Sequence, residues 1–130
     1  RRVHAVLIEY LLNRGVHVVC YRYKYSTFVY QRAQGVLFKK LFEMHKGVLA
    51  PDLALIIDVP ADVALERVEK DGNRSHKEVF EQKDFQEKLR RNFLALPAAL
   101  PDEKIVVIDG NKPVGEVFED VKKAVTPLLK

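Results

Sequence analysis

A single cysteine, Cys20, is present, so no disulfide can form within the chain. Standing at the end of an apolar run, it reads as a core thiol in a cytosolic, cytoplasmic protein. No apolar stretch approaches the roughly 20 residues needed to cross a bilayer, and the amino terminus carries no signal-peptide pattern. The four histidines, His4, His17, His45 and His76, share no metal-ligand spacing with a cysteine or carboxylate, which argues against a metal site built from protein alone. A phosphate cradle of the form G-x-x-x-x-G-K-[ST] is missing as well. Only Gly110 and Gly115 have the right separation, but Pro113 falls between them and Glu116-Val117 follow, so the segment reads as a turn. The net charge of +4 is compatible with anionic ligands such as nucleotides, but it is small and scattered and gives no case for nucleic acid.

What is present is enough for a core. Apolar residues make up 48% of the 130 positions, and the length suits one domain over 1–130. Residue 1 is Arg, and helical periodicity is already running there, so the sequence reads as starting inside a domain. Val3, Val6, Leu7, Tyr10 and Leu11 recur at helical spacing and predict an amphipathic helix over 2–14, stopped by Gly15. The β-branched run at 16–20 predicts a buried strand, with Tyr21-Arg22-Tyr23 at its carboxyl end. Helices are expected at 24–34 and 36–46, a second strand at 53–59 behind Pro51-Asp52, and a helix from Pro60-Ala61 to about Lys70. The polar stretch 71–78 predicts a mobile loop. A charged helix over 82–96, a third strand at 104–108 and a helix from Pro113 to the end complete the pattern. Strands separated by helices predict an α/β fold, a parallel sheet flanked by helices, and such sheets bind ligands at the carboxyl ends of their strands.

That rule singles out a few side chains. Arg22, one residue past a buried strand, could grip a phosphate with two donors; it could also be a surface arginine paired with a carboxylate. Tyr30-Gln31 lie one helical turn after Ser26-Thr27, so hydroxyls and an amide share a face that could read a base edge or merely be polar surface. Arg67, Arg74, Arg90 and Arg91 flank the polar loop, where they could close over phosphates or form a solvated, ion-paired face. Asp58, at a strand end, could be catalytic or could cap the following turn, and it reads best as the cap.

These segments, taken in order, resemble the thymidylate kinase family. Tyr21-Arg22-Tyr23-Lys24-Tyr25-Ser26-Thr27-Phe28-Val29-Tyr30-Gln31 is similar to its D-R-Y-x-x-S-[ST]-x-A-Y-Q stretch. Pro51-Asp52-Leu53 with Asp58-Val59-Pro60 through Ala64 and Arg67 resembles its P-D-L-x-x-x-L-D-V-P-x-x-x-A-x-x-R stretch. Ile108-Asp109-Gly110 resembles the closing I-D-A/G strand end, and Arg1 with His4 the remainder of an A-D-R-x-x-H helix. The resemblance implies a P-loop kinase-like three-layer sheet, of which this chain carries the third, fourth and fifth strands and lacks the first two along with the P-loop. It implies transfer of the ATP γ-phosphoryl group to dTMP with Mg2+, in dTTP biosynthesis. It implies that Arg22 holds the acceptor phosphate, that Gln31 hydrogen-bonds the thymine, and that Ser26, Thr27 and Tyr30 shape that pocket. By the same resemblance Arg1 contacts the base, Arg67 and Arg74 belong to a lid, and Arg90 faces the phosphates. A homodimer through the helix at 2–14 is also implied. Two departures stand out. Tyr21 replaces the family's Asp, and a phenol carries no charge near neutral pH. Without the P-loop, the chain by itself is expected to be inactive. Another monophosphate or deoxynucleoside kinase, or a non-catalytic nucleotide-binding remnant, stays open as an alternative.

Overall fold

The computed structural model describes residues 2–70 and 76–129. The chain divides into two compact units, Arg1–Ala50 and Pro51–Lys130.

The first unit is helical. Helix α1 spans Arg2–Asn13, and Gly15 turns the chain out of it at φ 75. A second helix, α2, covers Lys24–Ala33, and α3 covers Phe38–Met44. Phe28, Val29 and Leu41 are buried and join α2 to α3. The Phe28 ring meets Phe38 edge-on at 5.3 Å and His45 at 5.7 Å, geometries that suit the aromatic quadrupole. The strand expected at 16–20 does not form: these residues lie outside any ladder. A strand is stabilised by neighbours that accept its backbone hydrogen bonds, and none pairs here. Val19 is 95% exposed, and Cys20 is likewise exposed rather than packed in a core.

The second unit holds the sheet. Strand β1, Ala54–Asp58, pairs in parallel with β2, Ile105–Asp109, in the register Ala54 to Ile105 through Asp58 to Asp109. Both strands fall on the β-branched runs read as strands at 53–59 and 104–108, and they run parallel as expected. The ladder continues past both ends, as the Ala54 amide donates to the Lys104 carbonyl at 2.9 Å and the Gly110 amide to the Asp58 carbonyl at 2.7 Å. Helix α4, Ala61–Lys70, starts just after Pro60, with Asp62 in its first turn and Arg67 and Lys70 in its last, complementing the helix dipole. Helix α5 spans His76–Leu94, so it begins six positions before the expected 82 and takes in part of the stretch read as loop. The short α6, Leu96–Ala99, leads to β2, and α7, Val114–Val125, follows Pro113 and ends in a 3-10 turn at Thr126–Leu129. Ala61 and Leu65 of α4, Leu89 of α5, Leu96 of α6 and Ile108 of β2 are buried and form the core of this unit. Three helices, α4, α5 and α6, therefore lie in the crossover that carries the chain from β1 to its parallel partner. Among the described residues no helix is long and apolar enough to cross a membrane.

Candidate functional site

Arg22 stands just before α2 with φ 62, the left-handed region that a side chain with a Cβ avoids at a cost of about 1–2 kcal/mol. Backbone strain of this kind survives where its surroundings fix it. The strand expected to position Arg22 is absent, and the start of α2 does that work instead. Arg22 Nε donates to Ser26 Oγ at 3.3 Å, and the guanidinium lies over the Tyr30 ring at 5.0 Å. Positions 22, 26 and 30 follow each other at helical spacing, so one face of α2 holds the arginine from beneath. The terminal guanidinium nitrogens make no hydrogen bond or ion pair among the described residues.

Thr27 and Gln31 form the adjoining row of α2. Thr27 is half-buried, and the Gln31 Oε1 is buried with no hydrogen-bond partner among the described residues. A buried acceptor left unpaired costs about 1–3 kcal/mol, so this oxygen is a place where a donor is called for. Tyr21 is 93% exposed.

Tyr23 precedes the first turn of α2, and its hydroxyl donates to the Leu49 carbonyl at 3.0 Å. Burial, and secondly the charge on the neighbouring Cys20, push the phenol up from its ordinary 10.0. The folded chain thus favours the neutral hydroxyl, which donates, over the phenolate, which cannot. The stability this contributes is fully present below pH 10 and is lost as pH rises through the raised value. Tyr23→Phe should cost about 1 kcal/mol at pH 8, and the gap in melting temperature from the parent should shrink as pH climbs above 10. A gap that stays constant across that range would show that the hydroxyl is not the group involved.

In the second unit, Asp58 closes β1 and Arg90 lies on α5. Arg90 Nε donates to Asp58 Oδ1 at 2.8 Å and Arg90 Nη2 to Asp58 Oδ2 at 3.0 Å, a two-pronged charge-assisted pair. The side chains are 39% and 20% exposed, so the pair sits at the rim of the fold. The hydrogen bond to Asp58 holds the Arg90 guanidinium above its ordinary pKa, aided by the charges of Asp58 and Asp62. Asp58 is therefore the partner of a distant arginine and not the cap of the following turn. Arg67 is exposed on the last turn of α4. Arg1 and Arg74 lie outside the described residues. Among the described residues no three His, Cys, Asp or Glu side chains gather as metal ligands would.

Thus Arg22, Ser26 and Tyr30 come together, with Thr27 and Gln31 beside them on α2, while Arg90 is bound to a residue the sequence reading had given another task. A half-buried carboxylate at a strand end needs a cation or donor, which is the one signal that could have suggested a partner for Asp58.

The class defined by these features is an α/β protein with parallel strands, arginines near strand and helix ends, and a hydrogen-bonding helix face. The sequence comparisons narrow it. The thymidylate kinase family model matches residues 1–121. A probable thymidylate kinase of Archaeoglobus fulgidus is 39% identical over 119 residues, covering 91% of this chain and 57% of its own length. A probable thymidylate kinase of Staphylothermus marinus is 34% identical, covering 88% of this chain and 55% of its own length. A thymidylate kinase of Pseudomonas fluorescens is 35% identical over 130 residues, covering 97% of this chain and 61% of its own length. The chain belongs to the thymidylate kinase family, and it spans a little over half the length of these relatives.

Proposed function

We propose that the protein to which these residues belong is a dTMP kinase, transferring the γ-phosphoryl group of ATP to dTMP to give dTDP and ADP, and that this chain supplies the acceptor site. The parallel pair β1–β2 then forms part of a three-layer P-loop kinase sheet. Family membership supports the reading, and the observation that carries it is the buried, unpartnered Gln31 Oε1 on α2, in the row adjoining Tyr30, over whose ring Arg22 lies. An oxygen acceptor on that helix face selects a base with an N–H donor. Thymine presents N3–H, whereas cytosine presents a bare N3 acceptor, so a cytosine there would leave two acceptors facing each other. Arg22 supplies the charge-assisted donors for the 5′-phosphate, and the Tyr30 ring beneath its guanidinium holds it in place. Phosphoryl transfer asks a protein mainly for positioning and charge stabilisation, which is what these groups offer.

The residues of this chain do not by themselves fit Mg2+ or the triphosphate of ATP. Tyr21 stands where the family has Asp, the Asp58 carboxylate is taken by Arg90, and no Gly-rich cradle occurs in the sequence. No step through the metal is derived from them.

The test is a panel of dTMP, dUMP, dCMP, dGMP and dAMP offered with ATP to the protein expressed from its complete reading frame. dTMP should be the preferred acceptor, and dCMP should be rejected. Gln31→Ala should narrow the dTMP-to-dCMP ratio in kcat/KM by about 1–2 kcal/mol, roughly 5- to 30-fold. Preference for another base in the parent protein would refute the proposed substrate; an unchanged ratio in Gln31→Ala would refute only the role of Gln31.

A further inference from the structure

Arginine has five N–H donors on a planar fork, and the way a carboxylate docks decides which remain for other work. At Arg90 the carboxylate docks side-on. Nε and Nη2 are spent on Asp58, at 2.8 and 3.0 Å, which leaves the two donors of Nη1 and one of Nη2. Of those, one N–H of Nη1 and one of Nη2 point along the outer end of the fork, an edge that by its geometry suits an oxyanion. Nη1 makes no hydrogen bond or ion pair among the described residues. The carboxylate that sets this orientation is itself fixed. Asp58 is the last residue of β1, and its carbonyl accepts the Gly110 amide at 2.7 Å. The Gly110 backbone comes so close that a Cβ there would lie 2.7 Å from Ile57 Cγ2, 2.8 Å from Val59 Cγ2 and 3.0 Å from the Asp58 carbonyl oxygen. The end of β2 thus clamps the end of β1, the end of β1 clamps Arg90, and the assembly lies at the carboxyl ends of two parallel strands, where α/β sheets bind ligands.

We propose that Asp58 is a positioning residue, holding Arg90 side-on so that the outer edge of its guanidinium meets a phosphate oxygen of the nucleotide during phosphoryl transfer. The proposal rests on the kinase reading above. It assigns Asp58 no contact with the nucleotide; Asp58 acts through Arg90. A lysine at position 90 cannot satisfy both demands, because a point charge drawn to Asp58 has no second edge to present.

The experiment uses the protein from its complete reading frame, with steady-state kinetics for dTMP and ATP and circular dichroism melts on each variant. Asp58→Asn keeps the shape and one acceptor but loses the charge and the symmetric dock; kcat should fall about 10-fold while KM for dTMP changes less than about 2-fold, the pattern of an interaction made in the transition state. Arg90→Met should lose at least as much, and Asp58→Asn added to Arg90→Met should cause no further loss in kcat. Arg90→Lys should fall to the level of Asp58→Asn, and this variant serves if Asp58→Asn melts too low to assay. A merely structural ion pair would lower the melting temperature and leave kcat per folded molecule unchanged, which would overturn the proposal. So would full activity in Arg90→Lys or Arg90→Met. An active parent enzyme with indifferent variants would sink the role of Asp58 alone, whereas a parent that phosphorylates no nucleoside monophosphate would sink the kinase reading and the proposal with it.

Discussion

Arg22→Ala should lower kcat/KM for dTMP by about 30- to 1,000-fold in the protein from its complete reading frame, while Arg91→Ala changes it less than about 2-fold. The first figure corresponds to about 2–4 kcal/mol, the cost of removing a charged, two-donor grip from a phosphate that forms only while the nucleotide is bound. The second reflects an exposed arginine on α5, where a substitution is ordinarily worth less than about 0.5 kcal/mol. A companion variant separates binding from folding. Arg22 holds φ 62, a conformation as awkward for Ala as for Arg but open to Gly. Arg22→Gly should therefore match or exceed the parent in thermal stability, by up to about 1 kcal/mol, and still be as inactive as Arg22→Ala. Removal of the contacts to Ser26 and Tyr30 accompanies both changes, so any stability difference between them reports the backbone. If Arg22→Ala and Arg91→Ala turned over equally, Arg22 would have no place at the acceptor phosphate. If Arg22→Gly were less stable than Arg22→Ala, the strain would not reside where the backbone angle puts it.

How far the sequence carried the structure depends on whether each feature is decided locally. Helices α1, α2, α4 and α7 were legible because their apolar spacing, the glycine after α1 and the prolines before α4 and α7 are signals within one segment. The β1–β2 ladder was legible because two β-branched runs, each bounded by polar or proline-containing turns, had each other to pair with. Residues 16–20 carry the same local signal and form no strand, because a ladder is a property of two segments and the partner is not among those described. The early start of α5 was illegible for a different reason. Lys and Glu favour helix almost as well as Leu does, so a polar stretch without an apolar stripe can be loop or helix, and periodicity alone does not choose.

At the site, the residues of α2 were named by their spacing and their places were found, but what holds them was not. Arg22 was expected to be positioned by a strand behind it, and it is held by a hydroxyl and a ring in front of it. The left-handed backbone at a non-glycine residue has no sequence signature at all. The Asp58–Arg90 pair joins residues on a strand and a helix far apart in the chain. Pairings of that kind follow from topology, and only the half-buried position of the carboxylate hints at one.

The clamp between strand ends makes the last large effect. Gly110→Val should destabilise the protein by about 2–3 kcal/mol in urea unfolding, whereas Gly115→Ala should stabilise it by about 0.5–1 kcal/mol. At Gly110 even a Cβ would meet Ile57 Cγ2 at 2.7 Å, Val59 Cγ2 at 2.8 Å and the Asp58 carbonyl oxygen at 3.0 Å. The first two are methyls that branch from the Cβ of stiff side chains, so they yield only if a rotamer or the backbone shifts. The carbonyl belongs to the ladder and accepts the Gly110 amide, so the two branches of valine would push against backbone that cannot retreat without breaking a 2.7 Å hydrogen bond. Gly110→Ala, with a single methyl, should lie between valine and the parent. At Gly115 the surroundings are empty: nothing lies within 4 Å of an added Cβ, and the residue is in the first turn of α7, where alanine keeps part of the advantage of about 1 kcal/mol that it has over glycine in helix interiors. The contrast guards against a general intolerance of glycine replacement. Because the same clamp orients Asp58 and hence Arg90, Gly110→Val should also lose kcat at temperatures where circular dichroism shows it fully folded. A Gly110→Val protein as stable and as active as the parent would mean that the two strand ends are not held together as the structure places them.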